Sequence, residues 1–398
     1  MPKILRIINR FNLGGITYNV SYLSKYLPVE YETLLIGGPA EEGEESSLYI
    51  PQSLGLNPQI ITELKRSINP LQDYKAYKKI KLLIKEFNPD IVHTHASKAG
   101  AIGRLAAIHC KVPIIIHTFH GHIFHGYFSN LKTNVFKIIE RYLSKKSSAI
   151  IAISQIQKNE LTKTHSICSE NQTYVIPLGF DLNRFTENQI VKRKQFREKY
   201  FISANTLAIG IIGRLAPIKN HFLFIDAIEF VLKNTQEKIK AIIIGDGETK
   251  QQLIEYIKQK QLTYSFGENN DSTFIFTSWI KEVDIALAGL DLVCLSSKNE
   301  GTPVSLIEAQ AAGKYIITTN VGGIKDILNP NCGMLSEVQD EKMFKENLLN
   351  AVVNYKTVTA NSAAAKNEVI EKFSYQRLCK DMDELYKNLT STNSATKV

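Results

Sequence analysis

The sequence of 398 residues lacks any apolar run that approaches the roughly 20 residues of a membrane-spanning helix. Its first residues, KILRIINR, carry a charge every few positions, which predicts a first strand and not a signal peptide. Its five cysteines are widely scattered, and no pair has the spacing of a metal site or a redox motif. These absences predict a cytoplasmic protein with reduced thiols, and the hydrophobic content of 44% is ordinary for a globular chain.

Three further absences exclude classes of function. The turn at Asn12–Ile16 contains only Gly14 and Gly15, so the three-glycine dinucleotide fingerprint is incomplete and hydride transfer is not supported. The one Asp-x-Asp triplet, Asp381–Asp383, falls in a predicted amphipathic helix. Residues two apart on a helix do not share a face, so no metal site is predicted there. No recognisable module interleaves aromatic with basic residues, so nucleic acid is not an expected partner.

Positive charge is concentrated in the first half of the chain. Of the net charge of +9, residues 1–190 contribute +7, with 22 Lys and Arg against 15 Asp and Glu. Two predicted helices, 72–87 and 131–146, are rich in lysine. This pattern predicts anionic partners such as lipid headgroups or a phosphorylated acceptor, and a solvated lysine-rich surface is the alternative.

Short apolar runs alternate with helical patterns along the whole chain, which predicts parallel, doubly wound sheets of α/β class. The length exceeds that of one typical domain, and two domains are expected. A charged stretch at 184–200 separates two alternating sets. The predicted domains are therefore 1–183 and 184–373.

The segment Glu300–Ala309 carries the clearest chemical pattern. It follows a predicted buried strand, Asp291–Leu295, and precedes a helix that stops at Gly313. Thr302 is predicted as the helix cap and Pro303 in the first helical turn, so free backbone N–H groups would favour a phosphate. Glu300 and Glu308 would flank that phosphate, as a nucleotide sugar requires. The alternative is a capped surface helix with solvated carboxylates.

Other candidate residues also follow predicted strands. Arg214 and Lys219 have no acidic neighbours in sequence and would stabilise a departing diphosphate. His120 stands before Gly121 at the end of a predicted strand, where open α/β sheets bind ligands. His93 and His95 share a strand face, but a zinc pair there would lack a third ligand.

Six motifs occur in the order and spacing of a known family, and together they span almost the whole chain. They are Gly14-Gly15-Ile16, His120-Gly121, Gly213-Arg214 with Lys219, Gly245-Asp246-Gly247, Glu300 with Glu308, and Val321-Gly322-Gly323. The chain thereby resembles the retaining glycosyltransferases of family four. That family has the GT-B fold, in which two Rossmann-like domains are separated by a cleft. The segment His93–Gly100 is similar to bacterial members that build capsule, exopolysaccharide or O-antigen.

The resemblance implies a role for each matching residue. Arg214 and Lys219 would bind the donor diphosphate, Glu308 the ribose hydroxyls and Glu300 the transferred sugar, while His120 would contact the sugar from the opposite domain. The implied donor-binding residues are Gly14, Gly15, Gly245, Asp246, Gly247, Trp279, Gly301, Thr302, Pro303, Val304 and Glu308. The final helix, within 374–398, resembles the family's closing helix, which packs back on the first domain.

The implied activity is retaining transfer of a sugar from a nucleotide-sugar donor, with UDP as the expected nucleotide. The implied acceptor is a saccharide or a lipid-linked saccharide of bacterial cell-surface polysaccharide or lipopolysaccharide, and no metal or other cofactor is expected. Peripheral contact with the inner face of the cytoplasmic membrane is a separate expectation. Two alternatives remain open, a GT-B-fold epimerase of UDP-sugars and a non-catalytic subunit that binds a nucleotide sugar.

Overall fold

The computed structural model describes residues 1–12, 15–41, 44–121, 130–267 and 272–395, with the side chains of 130–132 and 393–395 excepted. The chain divides into two compact units. The first comprises residues 1–180 together with the segment from Phe373 onward, and the second is Asp181–Lys372. The predicted domain limits lie within three residues of these divisions.

Strands and helices alternate through both units. The strands are β1 (Lys3–Arg10), β2 (Glu32–Gly38), β3 (Gln59–Ile60), β4 (Ile91–His95), β5 (Ile114–Phe119), β6 (Ala149–Ala152), β7 (Thr173–Val175), β8 (Leu207–Ile212), β9 (Ile239–Ile244), β10 (Tyr264–Ser265), β11 (Phe274–Ser278), β12 (Leu292–Leu295), β13 (Tyr315–Thr319) and β14 (Gly333–Ser336). The α-helices are α1 (Gly15–Tyr26), α2 (Tyr49–Ser53), α3 (Pro70–Phe87), α4 (Ser97–His109), α5 (Asn130–Lys145), α6 (Gln155–Asn159), α7 (Gln189–Lys199), α8 (His221–Asn234), α9 (Lys250–Gln259), α10 (Val283–Gly289), α11 (Val304–Ala311), α12 (Ile324–Ile327), α13 (Glu341–Val353), α14 (Tyr355–Phe373) and α15 (Tyr375–Ala395).

The first unit is built on a seven-stranded sheet in the order β3-β2-β1-β4-β5-β6-β7, and all of its pairs are parallel. Its central strands are buried on both faces, since Ile4, Leu5 and Ile7 of β1 are fully inaccessible to solvent. Such near-continuous apolar runs are typical of parallel sheets covered by helices on both sides. The strand order reverses between β1 and β4, and that point is where doubly wound sheets bind ligands.

The second unit repeats this architecture with the parallel order β10-β11-β9-β8-β12-β13-β14. A large apolar core lies between the sheet and helices such as α8 and α13, with Ile209, Ile243, Phe224 and Phe344 fully buried. The strand order reverses between β8 and β12. The loops that follow these two strands are therefore neighbours, although about 80 residues separate them in sequence.

The helix α15 belongs to the first unit, although the second unit precedes it in the chain. Its Leu378, Met382 and Tyr386 are buried in one cluster with Ile4 and Ile91 of the sheet. Its two aspartates, of the Asp-x-Asp triplet, face basic residues of the same helix: Asp381 accepts from Arg377 at 2.9 Å and Asp383 pairs with Lys387 at 2.7 Å. Within the described part of the chain, no helix has the length and apolarity needed to cross a membrane.

Candidate active site

Five loops of the second unit meet at the carboxyl edge of its sheet. They follow β8, β9, β11, β12 and β13, which are adjacent strands. Four of these loops carry a sequence motif, and the loop after β11 carries Trp279. The carboxyl ends of parallel strands lie at one edge, so residues from 213 to 323 are brought together there.

Lys219 and Glu300 form the centre of this edge. The Nζ atom of Lys219 lies 2.6 Å from Oε1 of Glu300, and the Ser297 hydroxyl donates a hydrogen bond of 2.5 Å to the same oxygen. The Glu300 side chain is only 9% exposed. Lys219 has no acidic neighbour in sequence, but the fold gives it an acidic partner that lies 81 residues away in sequence and one strand away in the sheet.

Arg214 is also paired, but at the surface. Its guanidinium lies 3.1 Å from a carboxylate oxygen of Glu248, and the two side chains are 67% and 50% exposed. An exposed pair of this kind contributes little to stability. Arg214 can therefore exchange Glu248 for another anion at small cost.

Side-chain and backbone hydrogen bonds hold the β8 and β12 loops together and join the β12 loop to the end of β13. The Ser296 hydroxyl is within 3.1 Å of the Lys219 carbonyl and 2.9 Å of the Asn220 carbonyl. The backbone N–H of Lys298 donates to the Ile218 carbonyl, and the Thr319 hydroxyl donates to that of Ser297. These bonds fix the backbones from which Lys219 and Glu300 project.

The glycine turn after β13 lies directly against the backbone of Glu300. Gly322 has φ of +54°, and a Cβ atom at this position would lie 1.8 Å from the Glu300 carbonyl oxygen. The adjacent Gly323 N–H donates to the Gly301 carbonyl at 2.9 Å. Position 322 requires a residue that tolerates positive φ and has no side chain, and only glycine meets both conditions.

The helix start next to Glu300 differs from the prediction by one residue. Pro303 takes the N-cap position with extended backbone angles (φ −69°, ψ 109°), Val304 is the first helical residue, and no side chain caps the helix. The prediction of Thr302 as cap is wrong because proline's fixed φ is compatible with the extended cap conformation. The Leu306 N–H donates to the carbonyl of the Pro303 cap at 3.2 Å, and the N–H groups of Val304 and Ser305 have no acceptor within the helix. The helix ends before Gly313, as predicted.

Glu308 lies one turn into α11 and is 15% exposed. Arg184 donates to its Oε1 at 3.3 Å. Burial raises the pKa of Glu308 to about 7, and the Arg184 guanidinium only partly opposes this effect. A carboxyl group that is half protonated near neutral pH can accept hydrogen bonds from a diol as it ionises.

The β9 turn packs against the β8 turn through backbone. Gly245 has φ of +140°, and a Cβ atom there would lie 2.0 Å from the Gly213 carbonyl oxygen. Asp246 accepts hydrogen bonds from Lys250 and Ser278, both at 2.9 Å, and Lys250 contributes most to the lowering of its pKa. Gly245 also donates its N–H to the Ser278 carbonyl. The turn after β9 and the end of β11, next to the implied donor-binding residue Trp279, are thus in contact, and Trp279 is 54% exposed.

The first unit carries the remaining predicted residues. Gly15 is the first residue of α1, which follows β1, and Gly14 lies outside the described residues. His120 follows β5, and its Nε2 atom is 2.9 Å from Nδ1 of His95. Burial lowers the pKa of His120 to about 4, so this ring is neutral at physiological pH.

A polar cluster that the sequence did not predict lies behind His120. Arg6 of β1 is fully buried, and its Nη1 atom lies 3.0 Å from Nδ1 of His93 and 3.3 Å from the Tyr386 hydroxyl. The rings of His93 and His95 stack at 4.2 Å. The Arg6 guanidinium thus faces one ring nitrogen of each histidine, and a fixed positive charge beside both rings disfavours a zinc site there. The only sequence signal was an arginine inside the apolar strand KILRII.

Comparison with known proteins gives a family match for each of the two units. Residues 13–184 match the family model "Glycosyltransferase Family 4", and residues 192–368 match the model "Glycosyl transferases group 1". The chain belongs to glycosyltransferase family four. It is an enzyme that transfers sugars, and the GT-B fold class predicted from its motifs is confirmed.

Three relatives illustrate the similarity of this glycosyltransferase. A UDP-Gal:α-D-GlcNAc-diphosphoundecaprenol α-1,3-galactosyltransferase of Escherichia coli is 28% identical, over 82% of each chain. The capsular polysaccharide biosynthesis glycosyltransferase CapM of Staphylococcus aureus is 27% identical, over 82% of this chain and 84% of its own. The structure of HepE from Anabaena in complex with UDP has a TM-score of 0.79 at 18% identity, covering 97% of this chain and all of that one.

Proposed function

We propose that this glycosyltransferase transfers a sugar, with retention, from a UDP-sugar to a lipid-linked saccharide during synthesis of a cell-surface polysaccharide. The similar proteins of E. coli and S. aureus, named for a UDP-galactose donor with a lipid-linked acceptor and for capsule synthesis, support this proposal. We further propose that the reaction takes place in the cytoplasm and requires no metal.

The observation that carries the proposal is the Lys219–Glu300 pair at the switch point of the second unit. The Lys219 ammonium has three N–H donors, and one of them is directed at Glu300. The other two are available to diphosphate oxygens. Positive charge at the diphosphate stabilises its departure, and Glu300 would accept hydrogen bonds from hydroxyl groups of the sugar.

Retention follows from attack on the face that the leaving group occupies. The bond between the anomeric carbon and the diphosphate oxygen breaks, and the acceptor oxygen bonds to the same face of that carbon. The acceptor proton passes to the departing diphosphate. Arg214, Lys219 and the N–H groups at the start of α11 would compensate the charge that develops on the diphosphate.

The test begins with a panel of nucleotide sugars, scored by thermal stabilisation and then by UDP release with an undecaprenyl-diphosphate-linked saccharide acceptor. Lys219→Ala and Glu300→Gln should each lower kcat at least a hundredfold, which is typical for loss of one charge-stabilising group. Lys298→Ala is the matched control, since Lys298 is an exposed lysine of the same loop. Full activity in either site variant would refute the assigned roles.

The same assay separates the alternatives. A transferase consumes donor in proportion to acceptor, whereas an epimerase converts donor without acceptor and a binding subunit converts none. Transferase activity that persists in EDTA would support metal independence. A loss of activity in EDTA that added Mg²⁺ reverses would contradict it. The anomeric configuration of the product, read by NMR, tests retention.

We also propose that α5 contacts an anionic bilayer. Its Val135, Ile138, Ile139 and Tyr142 are 40–63% exposed and recur at the spacing of one helix face, and Lys145 follows in the last turn. An exposed apolar row with basic neighbours is the pattern of an interfacial helix. This exposed apolar row favours α5 as the membrane contact over α3, the other lysine-rich helix.

Co-sedimentation with vesicles that contain phosphatidylglycerol at low salt tests this contact. Ile138→Glu should abolish binding, because it places a charge in the apolar row. Leu82→Glu is the matched control, since Leu82 is 56% exposed on α3. Equal binding by both variants would exclude α5 as the contact.

A further inference from the structure

A buried arginine lies behind His120, with the ring of His95 between them. Arg6 is fully buried in β1, and no residue that the structure describes forms an ion pair with it. Its Nη1 atom faces Nδ1 of His93 at 3.0 Å and Nε2 of His95 at 3.5 Å. Arginine donates and never accepts, and it stays charged, so the ring nitrogens that face it must present lone pairs.

The orientation of these lone pairs determines the tautomer of each neutral histidine. His93 and His95 are fully buried, and burial lowers both pKa values well below the usual range, so each ring carries a single proton. In His95, Nε2 faces the guanidinium and is unprotonated, so the proton must be on Nδ1. In His93, Nδ1 faces both the guanidinium at 3.0 Å and the Tyr386 hydroxyl at 2.7 Å and accepts from them, and Nε2–H donates to Thr118 at 2.7 Å. One cation thus imposes opposite tautomers on two adjacent histidines.

The tautomer of His95 then determines that of His120. Nδ1–H of His95 donates to Nε2 of His120 at 2.9 Å, so Nε2 of His120 is an acceptor. The single proton of neutral His120 is therefore on Nδ1. That atom is buried and has no hydrogen-bond partner among the described residues. An unpaired buried N–H costs free energy unless a bound ligand accepts from it.

We propose that Arg6, acting through His95, holds His120 in the tautomer that presents Nδ1–H as a hydrogen-bond donor to an oxygen of the bound sugar. The sugar as ligand rests on the proposed function, whereas the tautomer does not. With a neutral residue in place of Arg6, the hydrogen bond between the two rings could reverse. Nδ1 of His120 would then be an acceptor, and the ring would lose its N–H for the sugar. Arg6 and His95 are accordingly positioning residues.

The direct test is NMR of the full-length, ¹⁵N-labelled protein without donor. Two-bond proton–nitrogen couplings report which ring nitrogen carries the proton, and the His120 signals are those absent from the His120→Gln variant. Wild-type His120 should be protonated at Nδ1 only. In Arg6→Met the two tautomers should mix or invert, while Arg6→Lys, which keeps the charge, should retain the wild-type pattern.

Tyr386→Phe is the matched control within the cluster, because it removes a hydroxyl group beside Arg6 and leaves the charge and His95 in place. Its His120 tautomer should be unchanged. Wild-type protein with a proton on Nε2 of His120 would overturn the inference even if Arg6→Met does not fold. An unchanged tautomer in folded Arg6→Met would also overturn it.

Kinetics then tests the donor role at the sugar. Asparagine places an amide N–H near the position of Nδ1, whereas glutamine places it near Nε2. His120→Asn should keep kcat/KM within about tenfold of wild type, and His120→Gln should lose more, as expected for loss of one hydrogen bond to the ligand. Equal losses would refute the donor role. If wild-type protein transfers no sugar from any donor, the proposed function fails, and the ring-nitrogen measurement still decides the tautomer.

Discussion

Glu308 is the residue whose charge is most sensitive to pH near neutrality within the candidate donor site. Its pKa of about 7 reflects burial that the single contact to Arg184 does not offset. Ribose hydroxyl groups would donate to its ionised form and therefore lower its pKa when the donor binds. Donor binding and proton release should then be coupled.

UDP binding should release a proton at pH values near and below 7, and UDP affinity should fall as the pH drops through 7. Calorimetric titrations in buffers of different ionisation enthalpy measure the number of protons released. Glu308→Gln should abolish the release, and Glu300→Gln should retain it, because Glu300 is assigned to the sugar. Proton release by Glu308→Gln protein would exclude Glu308 as its source.

The Glu308 carboxyl group should lower the free energy of unfolding at alkaline pH. Because its folded pKa is raised, the folded state binds more protons than the unfolded state between about pH 4.3 and 7, so stability falls as pH rises through this window. Glu308→Gln should therefore be more stable than wild type at pH 8, by at most roughly 4 kcal/mol, and not at pH 4. Chemical denaturation at pH 4 and pH 8 measures the free energy of unfolding of both proteins. If the variant were more stable by the same amount at both pH values, ionisation of Glu308 would not be the cause.

At the scale of elements, the turn after β13 acts on the site through backbone contact. An alanine at Gly322 would need positive φ and would place its Cβ atom 1.8 Å from the Glu300 carbonyl oxygen. The β12 loop would have to move, and the Lys219–Glu300 pair would be displaced. Neither residue of that pair would itself be altered.

Gly322→Ala should lower kcat at least tenfold, since misplacement by about 1 Å is enough for such losses. Gly213→Ala is the control, because an added Cβ there meets nothing closer than 3.8 Å. Initial rates and thermal unfolding of both variants make the comparison. Equal effects of the two substitutions would contradict the proposed backbone contact.

The sequence predicted elements better than contacts. Apolar runs and glycine turns were sufficient for the strands and for the loops that carry Glu300, Lys219 and Gly245, because these patterns are local. The Lys219–Glu300 and Arg184–Glu308 pairs join residues 81 and 124 positions apart, and only the tertiary fold brings them together. Arg6 was missed for the same reason, since its partners come from β4 and α15.

At the scale of the whole molecule, α15 completes the core of the first unit. Met382 is 1% exposed and packs in the cluster that contains Ile4 and Ile91. An aspartate there would place an unpaired charge in an apolar core and should destabilise the first unit by several kcal/mol. The second unit has its own core and should be unaffected.

Met382→Asp should therefore speed amide hydrogen exchange in β1 and β4 and leave exchange in β8 and β12 unchanged. Mass spectrometry of proteolytic peptides resolves the two sets. Lys380→Asp is the control, because Lys380 is an exposed residue of the same helix. Faster exchange in both units would indicate that they unfold together.

The position of α15 also constrains the order of events during synthesis. The ribosome makes the sheet of the first unit early and makes α15 only after the second unit, Asp181–Lys372, is complete. At synthesis rates of about 5–20 residues per second, this interval is on the order of 10–40 seconds. During it, Ile4 and Ile91 lack the helix that covers them, and the nascent sheet is open to chaperones or to aggregation. A messenger truncated within the second unit would yield a first unit that cannot close its core.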